Sequence, residues 1–166
     1  MKFFKLIFLI LTVALVSVRA ASQNIMINIL TQNAGTVNKG KTVFLEATIN
    51  NTDPNAYLGI YKLQVKISVP SEIVSIPATG HVLPTGWTIT SNTGSTITLS
   101  NGKNMIASND SRTLLIALQG KKSGGTSTIA GQLLFSNGES PGTTVASLPG
   151  DNPADNSSTT SIKVLR

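Results

Sequence analysis

The sequence predicts an antiparallel β-sandwich, and three observations point there. Period-two alternation of apolar and polar residues recurs along the chain. Ser, Thr, Asn and Gly supply 64 of the 146 residues after Ala20, a composition that favours turns and wet strand faces over helices. Turn signals recur about every ten residues, the spacing of short strands in two stacked sheets. No window sustains a 3.6-residue period.

The first twenty residues read differently. Lys2 and Lys5 form a short basic region, and residues 6–18 are apolar apart from Thr12 and Ser17. Val18-Arg19-Ala20 then places modest side chains where a signal peptidase reads. Such a run is too short to span a bilayer comfortably. The expectation is a signal peptide over residues 1–20, cleaved after Ala20, and a single sandwich domain over residues 21–166. After cleavage no stable membrane span is expected, so the chain is read as secreted, at the cell surface or in the periplasm. Of the 13 cations and seven acids that give +6, Lys2, Lys5 and Arg19 lie in the leader with no acid, leaving +3 on the rest.

The strands follow in order. Residues 24–31 alternate Ile25, Ile27 and Ile29 with Met26, Asn28 and Leu30. Residues 42–50 place Val43, Leu45, Ala47 and Ile49 on one face. Residues 60–69 are the clearest: Tyr61, Leu63, Val65, Ile67 and Val69 face inward, while Lys62, Gln64, Lys66 and Ser68 face water. Pro70, which lacks an amide donor, ends that strand. A short apolar piece covers residues 73–76. Residues 87–90 and 96–100 form a hairpin through residues 91–95, and Asn101-Gly102 marks the next turn. Residues 113–119 and 126–135 are two more strands. Residues 157–165 close the chain with Ile162 and Val164 inward, after an irregular stretch over residues 136–156. Stacking two such sheets buries both apolar sets.

Three stretches together resemble a known family. Gly40-Lys41-Thr42-Val43-Phe44-Leu45-Glu46-Ala47-Thr48-Ile49-Asn50-Asn51-Thr52 is similar to the opening of bacterial immunoglobulin-like repeats of the domain-of-unknown-function-eleven type. Leu114-Leu115-Ile116-Ala117-Leu118 resembles their penultimate strand. Asp151-Asn152-Pro153-Ala154-Asp155-Asn156-Ser157-Ser158, with the strand after it, resembles their closing segment. The resemblance spans most of residues 38–164 and implies an immunoglobulin-like fold in a secreted or surface protein, serving as a spacer or adhesion module without catalysis. This chain carries one such domain where the family has arrays, and residues 87–108 are longer than the family's form.

Composition thins the remaining options. With no cysteine, thiol catalysis, disulfides and zinc–cysteine sites are excluded. His81 is the sole histidine, in a turn with no Gly-x-Ser-x-Gly elbow, and reads as a surface loop residue. Glu46 and Glu72 are the acids best placed for paired carboxylate chemistry, yet no cleft signal accompanies them. Five loop oxygen donors, Asp53, Asn55, Asp151, Asn152 and Asp155, are the calcium candidates, although neither segment has EF-hand spacing and turn formation accounts for both. Tyr57 and Phe44 are possible surface contacts, and Trp87 reads as core. No cofactor and no nucleic-acid partner are expected, the lysines at 39, 41, 62, 66, 103, 121 and 122 being spread along the chain. The reading is a non-enzymatic structural or adhesive protein of the bacterial cell surface. Its alternative is a soluble module recognising a glycan or an extracellular protein through its loops. Residues 24–31, apolar on both faces and without charge or proline, are expected to be covered on their second side by the loop over residues 136–156 of the same chain, or by a second molecule through edge pairing, giving weak self-association.

Overall fold

Two β-sheets stack face to face. The computed structural model describes residues 24–54, 57, 61–102, 104–136, 144–145, 147–148 and 150–166, so the expected signal peptide lies outside the described residues. In the first sheet the order is β1 (Ile25–Thr31), β3 (Thr42–Asn51), β8 (Ser111–Gly120) and β5 (Val74–Ser75). In the second it is β2 (Thr36–Asn38), β11 (Ser157–Leu165), β9 (Thr126–Ser136), β4 (Lys62–Ser68), β7 (Thr96–Ser100) and β6 (Thr88–Asn92), with β10 (Thr144–Val145) also paired to β9. Every strand pair is antiparallel except β2 with β11.

Alternation determines which faces meet. Val43, Leu45, Ala47 and Ile49 of β3 and Leu114, Ile116 and Leu118 of β8 turn inward. Opposite them lie Leu63, Val65 and Ile67 of β4, Ile97 and Leu99 of β7, and Leu133 and Phe135 of β9. All are buried, and each large aliphatic or aromatic side chain contributes about 1.5–3 kcal/mol. Lys66 pairs with Thr98 and Gln132 on the wet face, and Ile67 pairs with Ile97 and Gly131 on the dry one. A slip of one residue would bury Lys62 and Lys66, so the hydrophobic pattern pins the register.

The chain passes between the sheets at one place that alternation does not announce. After β1, the one-turn segment Gln32–Gly35 carries it into β2. Asn33, Ala34 and Gly35 all have left-handed backbone, with φ of 54°, 50° and 73°. Gly35 is required twice over, since a Cβ there would also lie 2.8 Å from the Ser161 carbonyl oxygen. Ala34 has no such freedom and holds its conformation at about 1–2 kcal/mol.

The outer edge of β1 is met from within the chain. The Ile25 N–H donates to Asp151 Oδ1 at 3.2 Å, and the Ile29 N–H donates to Ser158 Oγ at 3.1 Å. Two of the groups that would recruit a neighbouring strand are thus bonded within the chain, from its closing segment.

Candidate functional site

Four of the five oxygen donors singled out in the sequence lie at the end of the sandwich where β1 begins. Asn24 joins them: its Nδ2 donates to Thr52 Oγ1 at 2.8 Å and its Oδ1 accepts from the Asn152 N–H at 3.2 Å. Asn51, buried at the end of β3, donates from Nδ2 to the carbonyls of Ile106 and Ala107. Ser108 Oγ donates to the Asp53 carbonyl at 2.9 Å. Asp53, Asp151, Asn152 and Asp155 therefore share one end, and Asn55 lies outside the described residues.

Their oxygens serve the backbone. Asp151 accepts from the N–H groups of Ile25 and Leu148 and from Asn156 Nδ2. Burial pushes its carboxyl above the ordinary carboxylate range, and those three hydrogen bonds pull it partly back. Asn152 Oδ1 caps the 3-10 turn Pro153–Asp155 by accepting from Ala154 N–H, while Asn152 Nδ2 donates to Asp155 Oδ2. Asp53 is buried. Among the described residues, no group of three or more His, Cys, Asp or Glu side chains converges on a position for a metal ion.

His81 is a strut. Its Nδ1 accepts from the Ala117 N–H at 3.1 Å, which leaves Nε2–H to donate to the Pro77 carbonyl at 3.0 Å. His81 lies half-buried in a loop, and both ring nitrogens pin that loop over β8. Tyr57, expected as a surface contact, lies elsewhere. It is fully buried, not a surface contact, because its N–H donates to Ile106 O at 2.8 Å and its hydroxyl donates to the Tyr61 carbonyl. Burial raises its phenol well above the ordinary value. Glu46 lies half-buried on the outer face of the first sheet and accepts from Gln32 Nε2 at 2.6 Å, whereas Glu72 is exposed in the turn between β4 and β5.

The two outer faces differ in chemistry. On the first sheet, Leu30, Glu46, Leu115 and Val82 form one cross-strand row, whose outer members are 59% and 56% exposed. On the second, Ser157, Gln132, Lys66, Thr98 and Ser91 form an all-polar row. Trp87 is buried as expected, Phe44 and Tyr61 are half-buried, and no exposed aromatic row occurs among the described residues. β6 is the free edge of the second sheet: Thr88, Ile89, Thr90 and Ser91 are all exposed and none is charged or proline, though a bulge interrupts the pairing between Ile89 and Ser91.

No protein-family model matches the chain, and no curated protein matches it either. Solved structures do. A cohesin module from a Clostridium perfringens family 33 glycoside hydrolase is 14% identical over 84% of this chain and 96% of its own, with a TM-score of 0.57. BcpA, the major pilin subunit of Bacillus cereus, is 12% identical over 85% of this chain and 40% of the pilin, with a TM-score of 0.56. An uncharacterized Nocardia farcinica protein described as having an immunoglobulin-like fold is 13% identical over 82% and 98%, with a TM-score of 0.49. The chain is an all-β sandwich of two stacked sheets that shares its fold with the cohesin and pilin modules. At these identities the likeness is one of fold, which does not by itself assign a function. Among the described residues no helix is long and apolar enough to cross a membrane.

Proposed function

We propose that this chain is an exported, non-catalytic β-sandwich acting as a structural or adhesive component at the bacterial cell surface, its mature form beginning at Ala21 as one domain. The observation that carries the reading is the free edge of β6, uncharged, proline-free and exposed. Such an edge is what a partner strand adds to by backbone pairing. Two facts support it. The ionisable groups best placed for chemistry are bound to structure: His81 by both nitrogens, Asp151 by two backbone N–H groups, and Glu46 by Gln32. Cohesin and pilin modules, moreover, share the fold. The spacer and adhesion roles implied by the repeat resemblance agree with this reading.

The second reading, a module recognising a glycan or an extracellular protein through its loops, is favoured by one feature. Lysines concentrate at the end of the sandwich where β2, β8 and β11 finish.

The test uses labelled protein and whole cells of the producing bacterium. Attachment that Thr90→Pro abolishes, with the unfolding midpoint retained, supports pairing through β6. Attachment indifferent to Thr90→Pro contradicts it.

A further inference from the structure

The fold gathers charges that are scattered in the sequence. Lys39 bridges Gly120, so Lys121 and Lys122 follow directly beside it. The Lys39 N–H donates to the Leu165 carbonyl at 3.0 Å, which places Arg166 alongside. Lys41 returns through the same turn, its carbonyl accepting from the Gly120 N–H, and Lys163 pairs with Thr36 in β2. All six cations are exposed. Two acids among the described residues approach this end: Glu72, adjacent to Ile73, whose carbonyl accepts from Lys121 N–H, and Glu46, which is held by Gln32 Nε2 on the outer face of the first sheet. Asp53, Asp110, Asp151 and Asp155 all sit at the opposite end, where Asp110 is further neutralised by Arg112. Among the described residues, positive charge therefore concentrates at the end where β2, β8 and β11 finish.

A cavity of about 250 Å³ opens at the basic pole, lined by Asn33, Thr36, Val37, Asn38, Lys41 and Thr42. Its walls carry carboxamides and hydroxyls with one ammonium, a set suited to a ring bearing several hydroxyls and an acidic group. One wall is the left-handed segment at Asn33, a conformation held against strain, as binding sites often hold one. A lipid surface would call for large exposed apolar side chains here, and among the described residues at this pole only Leu165 qualifies. Base stacking would call for aromatic rings, and the cavity lining has none.

We infer that the basic pole and its cavity bind an anionic polysaccharide, the acidic group meeting Lys41 and the cations around it steering the chain in. This deepens the binding-module reading by naming its ligand class, and it is independent of the β6 edge. Association steered by exposed cations is fast and weakens steeply with ionic strength.

The test measures binding of full-length mature protein to polygalacturonate, with neutral dextran, anionic phosphatidylglycerol vesicles and a DNA oligonucleotide as comparisons. Polygalacturonate should be preferred, and its binding should fall steeply between low and physiological salt. The double variant Lys39→Gln/Lys41→Gln should bind about tenfold more weakly, two exposed ionic contacts being worth about that together. Lys62→Gln/Lys66→Gln, which changes net charge equally on the outer face of β4, should stay within about twofold. Both double variants should keep the wild-type unfolding midpoint. Equal losses from the two variants overturn the inference in favour of diffuse attraction. Preference for vesicles or DNA overturns the ligand class, and no binding to any acidic probe overturns the site. In the last case, cell attachment sensitive to Thr90→Pro would leave the adhesive reading standing.

Discussion

Gly131→Ala offers the sharpest probe of how closely the sheets approach. Gly131 is buried in β9, opposite Ile67 of β4, and it faces β1 of the other sheet. A Cβ there would lie 2.8 Å from Ile29 Cγ2, 3.2 Å from Ile67 Cδ1 and 3.4 Å from Ile27 Cδ1. Favourable carbon–carbon contact begins near about 3.5 Å, so the first of these atoms must retreat by roughly 0.7 Å. Ile67 and Ile27 present the ends of their side chains and can yield. Ile29 presents a branch at Cβ, which moves only if χ1 leaves its well or β1 shifts. Overpacking of this kind costs about 1–3 kcal/mol, and the lost freedom of the unfolded chain returns about 0.4–1 kcal/mol. The difference runs from about 0 to 2.6 kcal/mol, and because the Ile29 branch cannot yield freely the expectation lies in its upper half, a loss of about 1.3 kcal/mol or more. Ile67→Ala alone should cost about 2–5 kcal/mol, while Lys66→Ala, one residue away on the wet face, stays within about 0.5 kcal/mol. Because Ile67→Ala also removes one of the crowding methyls, the two core changes together should cost less than their sum by about 0.5 kcal/mol or more. Urea titration followed by the fluorescence of Trp87, the chain's one tryptophan and 7% exposed, measures all of these. A neutral or stabilising Gly131→Ala would show that the sheets do not meet at this glycine, and strict additivity with Ile67→Ala would show that Ile67, its neighbour in the same sheet, does not crowd it.

Other substitutions test the struts. Burial holds the Asp151 carboxyl above its ordinary value of 3.8, so the native state takes up a proton at higher pH than the unfolded chain. Its contribution therefore improves as pH falls through the window just above 3.8, and the unfolding free energy of wild type relative to Asp151→Asn should rise there. A difference that shrinks on acidification contradicts the burial argument. Tyr57→Phe should cost about 1–2 kcal/mol by orphaning the Tyr61 carbonyl. With its phenol raised, Tyr57 should also ionise only as the protein unfolds in alkali, stability falling as pH climbs past 10, and a phenolate formed in the folded state would refute this. His81→Ala should cost about 1–2 kcal/mol and speed hydrogen exchange at the Ala117 amide, whose partner it removes. Unchanged protection at Ala117 would mean that the imidazole does not hold the loop.

Strands with strict alternation were legible because burial on one side leaves a mark on every second residue. The inward set of β4 and the buried faces of β3 and β9 follow directly from that rule. β2 escaped because Thr36-Val37-Asn38 is three residues long, and its parallel partner β11 lies over 120 residues away. The left-handed segment escaped because Ala34 carries no local signal for positive φ. Tyr57 sits in a stretch without period, and its burial depends on Ile106. At the Asx-rich end, turn chemistry was legible in Asn152, which caps its own 3-10 turn. The bond from Asp151 to Ile25 was not, since nothing local records a partner 126 residues distant. The lysines illustrate the same limit. Lys39 and Lys121 are far apart in sequence, and only the meeting of β2, β8 and β11 makes them neighbours.

The proposal of an exported surface component is tested most directly by locating the protein in the cells that make it. Intact cells expressing the full chain are treated with external trypsin, and the untreated protein is sequenced from its N-terminus. The expected result is a chain beginning at Ala21 that the protease reaches without lysis. A chain beginning at Met1, protected until the cells are broken, would contradict it.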